Sequence, residues 1–160
     1  MNAVMAYIAL GNNLGDRKTI LRRAIEMLRA CDGIKVKAVS KMIETRPVDV
    51  PGEQGSYINA VAEIETTLAP EELLKRLQEI ESALGRDRKK EGFRGARTCD
   101  LDILLMGELV VSTPRLTIPH PRMHERKFVL RPLAEIAPNA RHPLLGKTAA
   151  ELLAELEARS

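Results

Sequence analysis

Apolar and polar positions along the chain follow two periods, and the switches between them mark out the elements. MAYIAL (5–10) reads as a strand that ends at the turn-forming GNNLGD. From Asp16 the period lengthens: Ile20, Leu21, Ala24, Ile25 and Leu28 recur at helical spacing until Asp32-Gly33 stops them. IKVKAVS (34–40) alternates like a half-buried strand. ETRPVDVPGEQGS (44–56), with two prolines and two glycines, reads as a loop, and YINAVAEIET (57–66) as the next strand. Pro70 suits a first helical position, and Glu71 and Glu72 favour the first turn. Leu73, Leu74, Leu77, Ile80 and Leu84 then form an apolar stripe that ends at Gly85.

A basic, glycine-containing loop (86–98) leads to DLDILLM (100–106) and LVV (109–111), which read as a hairpin turning at Gly107-Glu108. After a proline-punctuated segment, Thr148 and Glu151 form a capping box for a terminal helix. Paired strands between helices, rather than strict alternation, predict an α+β fold. The expected form is a ferredoxin-like α/β sandwich, with a mostly antiparallel central sheet and helices packed on it. At 160 residues the chain is expected to form a single domain, 1–160.

Composition narrows the function classes. Charged residues make up 29% and apolar ones 44%, the balance of a folded soluble protein. No apolar run approaches the roughly 18 residues of a membrane span. The N-terminus lacks a basic segment ahead of an apolar one, so no export signal is expected and the protein is expected in the cytoplasm. Cys31 and Cys99 are then expected to be reduced. Aromatic residues are only 2% of the chain, too few for the stacking surfaces of an RNA-binding module, so no nucleic-acid partner is expected.

Charge changes the picture more. Residues 86–97 carry six cations against two anions, and residues 115–131 five against one. The whole chain nets only +3, so the remainder is acidic. The two basic segments flank the strand that holds Asp100 and Asp102. They read either as solvated loops or as the surround of an anionic ligand. On a strand, positions i and i+2 share a face, so the two carboxylates project together while Leu101 and Ile103 point into the core. Such a pair is either a solvent-facing feature of a strand end or a cation site. Mg²⁺ takes one or two carboxylates and fills its remaining positions with water and phosphate oxygens. Arg86, Arg88, Arg97, Arg115 and Arg126 are candidate phosphate partners, with His120 between two prolines. His124 and His142 read as structural. Tyr57 and Asn59 share a strand face, a platform beside an amide that suits a flat heterocycle, and Phe128 is a further aromatic candidate. No G-x-x-x-x-G-K-[ST] occurs, which excludes a P-loop enzyme. Gly11-Asn12-Asn13 ahead of a helix offers backbone donors to an anion.

The motifs YIALGNNLGDR, ETRPV, GSYINAVAEIET, LAPEELLKRLQEIESALGR, RTCDLDILLMG and LTIPHPRMHERKFVLRPLAEIAP occur in this order from near Ala6 to about Pro138. In their place and order they resemble the 6-hydroxymethyl-7,8-dihydropterin pyrophosphokinases of folate synthesis. The resemblance implies transfer of pyrophosphate from ATP to the hydroxymethyl oxygen of the dihydropterin, releasing AMP. It implies that Asp100 and Asp102 bind two Mg²⁺ ions. Thr45, Val48, Tyr57, Asn59 and Phe128 correspond to the pterin pocket. Glu81, Arg88, Arg97, Ile103, Arg115, Thr117, His120 and Arg126 correspond to the nucleotide side. Arg86 and Arg97 match arginines that assist the chemistry, and segments 46–55 and 86–97 match loops that close over the substrates. The chain departs from the family where W-G-P is common: it reads Arg94-Gly95-Ala96, has no Trp, and carries one extra residue in that loop. Phe93 is expected to take over part of the sealing role, and Arg94 to stay in solvent. A monomer with no membrane partner is expected. A different metal-dependent phosphoryl or nucleotidyl transferase is the rival reading, and its nucleotide product separates it: ADP for phosphoryl transfer, AMP for pyrophosphoryl transfer.

Overall fold

The computed structural model describes residues 2–13, 16–45, 57–85 and 99–160. In chain order the main elements are β1 (Val4–Asn12), α1 (Arg17–Arg29), β2 (Ile34–Val39), β3 (Ile43–Thr45), β4 (Tyr57–Thr66), α2 (Pro70–Ala83) and β5 (Asp100–Met106). They are followed by β6 (Val111–Ser112), β7 (Thr117–Ile118), a 3₁₀ turn (Met123–Glu125), α3 (Lys127–Ile136), β8 (Arg141–His142), β9 (Lys147–Thr148) and α4 (Ala149–Arg159). The main sheet runs β2-β4-β1-β5 with every pairing antiparallel, and β3 pairs with β4 beyond the end of β2. This is the βαββαβ order that the alternation of elements predicts.

The sheet separates two apolar cores. On one face Ala6, Ile8 and Leu10 of β1, Ile58, Ala62 and Ile64 of β4, and Leu101 and Ile103 of β5 meet Leu21, Ala24, Ile25 and Leu28 of α1 and Leu73, Leu77 and Ile80 of α2. These are the helical stripes read from the sequence. On the other face Val61, Leu104 and Leu105 meet Val129, Leu130 and Leu133 of α3 and Ala149 and Leu152 of α4. Local signals set the helix starts. Asp16 caps α1 by accepting the Thr19 N–H at 3.3 Å. Thr148 and Glu151 form the predicted reciprocal cap, at 3.2 and 2.9 Å.

Four features differ from the sequence reading. The segment read as a loop from residue 44 begins as strand, since β3 pairs Glu44 with Ile58 and Thr45 with Tyr57. The LVV segment does not pair with β5: Leu109 and Val110 are exposed, and Val111 joins a two-residue ribbon with Ile118. Gly107 (φ +54°) does turn the chain, but into this ribbon, which lies against β5. The proline-punctuated segment contains α3, with Pro132 inside it. Proline removes one helical hydrogen bond there, and the burial of Val129, Leu130, Pro132 and Leu133 outweighs that loss. Finally, the β1–β5 register shifts at Leu104: Ile8 faces Ile103 and Tyr7 faces Leu105. Leu104 is the extra residue of a β-bulge, so Leu104 and Leu105 both enter the second core. No helix among the described residues is long and apolar enough to cross a membrane.

Candidate active site

Register brings the polar residues together. On β1, Gly11 lies opposite Asn59 of β4 on one side and Asp100 of β5 on the other; one step along, Ala9 lies between Val61 and Asp102. Residues directly opposite in a sheet share a face. Asn59, Gly11 and Asp100 therefore form one transverse row, and Asp102 heads the next. Leu101 and Ile103, 3% and 4% exposed, occupy the opposite face, as alternation predicts.

Above these rows is a cavity of about 540 Å³, within the range of small-molecule sites. Its floor is Ala9 and Gly11, and Asp100 and Asp102 lie along one side. Thr45, Tyr57, Asn59 and Phe128 line it as well, and His120 and Arg126 complete its polar lining. Thr45 reaches the site because β3 pairs it with Tyr57. The buried Asn59 amide donates from Nδ2 to Thr45 Oγ1 at 2.8 Å. This bond fixes which end of the amide faces which neighbour and leaves Oδ1 as an acceptor. A Cβ at Gly11 would stand 3.2 Å from that Oδ1, so the missing side chain is what lets Asn59 and the cavity share the floor.

The cationic residues come from the segment before α3. The His120 N–H donates to the carbonyl of the bulge residue, Leu104, at 2.9 Å, which ties this segment to the sheet. Nδ1 of His120 accepts the Arg122 N–H at 3.2 Å, so a neutral imidazole carries its proton on Nε2 as a donor. Burial pushes the His120 pKa below the usual histidine range, and the charges of Arg126 and Arg122 push it the same way. Arg126, the residue before α3, stacks its guanidinium 5.6 Å from the centre of the Phe128 ring. His142 is structural, its Nδ1 accepting the N–H groups of Leu144 and Leu145. His124 packs edge-on against it.

The cavity thus gathers Thr45, Tyr57, Asn59, Asp100, Asp102, His120, Arg126 and Phe128. Other sequence candidates lie elsewhere. Ile103 commits its side chain to the first core. Arg115 and Thr117 are exposed on the β6–β7 ribbon. Glu81 is buried at the end of α2, where Oε2 accepts the Leu101 N–H at 2.8 Å. Val48, Arg86, Arg88 and Arg97, with Phe93, Arg94 and the two expected closing loops, fall outside the described residues. The sequence reading missed Ala9, Leu10, Ala60, Leu104 and Val129 as cavity residues, and treated Gly11 only as a backbone donor. Ala9, Gly11 and Ala60, small residues on strands, carry no signal until their cross-strand neighbours are known, and Leu104 and Val129 read simply as core.

Among the described residues no group of three or more His, Cys, Asp and Glu could hold a metal ion by itself. Two carboxylates beside a cavity with an arginine and a histidine have the chemistry to share a cation with a phosphate ligand, the usual manner of Mg²⁺.

Residues 7–138 match the family model described as 7,8-dihydro-6-hydroxymethylpterin-pyrophosphokinase. The 2-amino-4-hydroxy-6-hydroxymethyldihydropteridine pyrophosphokinase of Bacillus subtilis is 49% identical over 132 residues, 82% of this chain and 77% of that one. The protein of the same name from Pseudomonas aeruginosa is 42% identical over 148 residues, 92% and 89% of the two chains. The folic acid synthesis protein fol1 of Schizosaccharomyces pombe is 40% identical over 152 residues, but the chain spans only 20% of its length. In fold, the chain matches the crystal structure of Plasmodium falciparum HPPK-DHPS wild type with pteroate, with a TM-score of 0.78 at 15% identity, covering 99% of this chain and 43% of that one.

Proposed function

We infer the reaction of this cavity from the premise that the chain belongs to the 7,8-dihydro-6-hydroxymethylpterin-pyrophosphokinase family. It transfers pyrophosphate to 6-hydroxymethyl-7,8-dihydropterin in folate biosynthesis. The donor is ATP, and the products are the dihydropterin pyrophosphate and AMP. The single observation that carries the residue assignment is the transverse row Asn59–Gly11–Asp100. It sets a heterocycle-reading amide and a cation-holding carboxylate on one sheet face, one strand apart from each other across a bare floor.

Asn59 and Thr45 read the polar edge of the pterin, with Val48 from the adjoining segment, while Tyr57 and Phe128 flank its faces. Asp100 and Asp102 would hold Mg²⁺, two ions on this reading, whose charge would offset that of the phosphates when bound, and the attack falls in line at the β phosphorus. The neutral His120 donates from Nε2 to a phosphate oxygen, and Arg126 adds charge beside the ring of Phe128. Arg86 and Arg97 assist the transfer; Arg88, Arg115, Thr117 and the backbone of Ile103 bear on the nucleotide. The walls hold the alcohol oxygen and the phosphorus together, so much of the acceleration is positional. Residues 1–160 act as one domain, as a cytoplasmic monomer.

Purified protein given ATP, Mg²⁺ and the dihydropterin should yield AMP and dihydropterin pyrophosphate in equal amounts. ADP as the product would mean phosphoryl transfer instead, and an absence of turnover would remove the enzymatic reading. A second test falls on the floor of the cavity. Gly11→Ala presses a methyl group against the Asn59 amide, which Thr45 holds in place. Dihydropterin binding is expected to weaken about tenfold, or about 1.4 kcal/mol, with affinity for an unreactive ATP analogue little changed. Calorimetry showing an equal loss of both ligands would place Gly11 outside the pterin pocket.

A further inference from the structure

Glu81 is a carboxylate almost removed from solvent, 4% exposed, that lines no part of the cavity. Its Oε2 accepts the N–H of Leu101, the residue between the two aspartates, at 2.8 Å. Among the described residues β5 pairs with β1 alone in the main sheet. In an antiparallel ladder alternate N–H groups point away from the partner strand. The Leu101 N–H is received by Glu81 from α2 rather than by another strand. Asp100 is the first residue of β5, and strand ends fray first. The β1 ladder braces this end of β5 from one side at Asp100 and Asp102, and Glu81 braces it from the other at Leu101. A buried carboxylate is costly to desolvate, and its charge-assisted bond to an amide is stronger and more directional than a neutral one.

We propose that Glu81 is a positioning residue: through the Leu101 amide it fixes the path of β5 between Asp100 and Asp102, and with it the spacing and direction of the two carboxylates. The inference rests on the reading of Asp100 and Asp102 as cation ligands. Two variants separate reach from charge. Glu81→Asp keeps the charge but is one methylene short of Leu101, whereas Glu81→Gln keeps the reach and an acceptor oxygen without the charge.

Glu81→Asp is expected to weaken Mn²⁺ binding by about tenfold, the usual effect of disturbing a residue that supports a ligand. It should raise the Mg²⁺ concentration for half-maximal rate in step and speed amide exchange at Leu101. Dihydropterin affinity without metal should stay unchanged. Glu81→Gln, which keeps the reach but makes only a neutral bond, is expected to show the same changes in metal binding, Mg²⁺ dependence and exchange to a clearly smaller degree. Calorimetry, rate measurements against Mg²⁺ and residue-resolved hydrogen exchange give the readouts. Wild-type Mn²⁺ affinity in Glu81→Asp, or equal damage in Glu81→Gln, would overturn the proposal. Asp100→Asn is the control. If it also binds Mn²⁺ like wild type, the cation reading itself fails; if it alone loses the ion, only the positioning role fails.

Discussion

Asp100→Asn and Asp102→Asn are each expected to lower turnover about a thousandfold, a barrier increase of about 4 kcal/mol. Asparagine matches aspartate in size. Asp102 is exposed and Asp100 only partly buried, and both project from the face of β5 opposite Leu101 and Ile103. Neither substitution opens a void in a core, so the folded state should survive. On the proposed assignment, what is lost is a formal charge on a cation donor beside the phosphates. The neutral amide oxygen still coordinates, but it no longer offsets the charge of a divalent ion in a site where the described residues supply two carboxylates. The measurement is steady-state rate against Mg²⁺ concentration, with thermal melting as the control for folding. Excess Mg²⁺ should restore part of the rate. Near-normal turnover in both variants at limiting Mg²⁺ would sink the assignment.

The second large effect is expected at Asn59. Its amide is buried and already pinned by the 2.8 Å bond to Thr45, so on the proposed assignment it would meet the pterin in a set orientation. Asn59→Ala removes that orientation and strands two partners at once, the Thr45 hydroxyl and a polar group on the ring. Leaving buried polar groups unpaired costs about 1–3 kcal/mol. A site built to hydrogen-bond its substrate suffers more from such a loss than an apolar one. Dihydropterin affinity should therefore fall by about 10- to 100-fold, while affinity for an ATP analogue changes little. Calorimetry with the two ligands separately decides the matter: loss confined to the nucleotide would put Asn59 on the wrong side of the cavity.

The parts of this fold that were legible in the sequence are those decided by near neighbours. The stripes of α1 and α2 follow from residues three and four apart, the cap of α4 from Thr148 and Glu151, and the shared face of Asp100 and Asp102 from simple alternation. The parts that were not depend on partners far along the chain. An apolar run from Ile103 to Met106 looks the same with or without a bulge, since both faces of β5 there are buried. The two-residue ribbons are too short to show a period. Pro132 hides α3, although Val129, Leu130 and Leu133 keep helical spacing through it. Gly11 acquires its meaning only from Asn59 and Asp100, roughly 50 and 90 positions away by sequence number, brought alongside by register.

The bulge at Leu104 also works as a slip joint. Before it, residues 100–103 of β5 run in step with Gly11 to Ile8; after it, Leu105 and Met106 run in step with Tyr7 and Ala6. A plain strand transmits any one-residue change of length along its whole course and turns every later side chain over. Here a residue can be gained or lost at the joint without inverting either half, so the core behind Leu105 and the carboxylates ahead of it are free to vary in length independently. The restriction falls instead on the Leu104 carbonyl, which holds His120. Shortening the strand at this point would leave both aspartates in phase and would cast the histidine adrift.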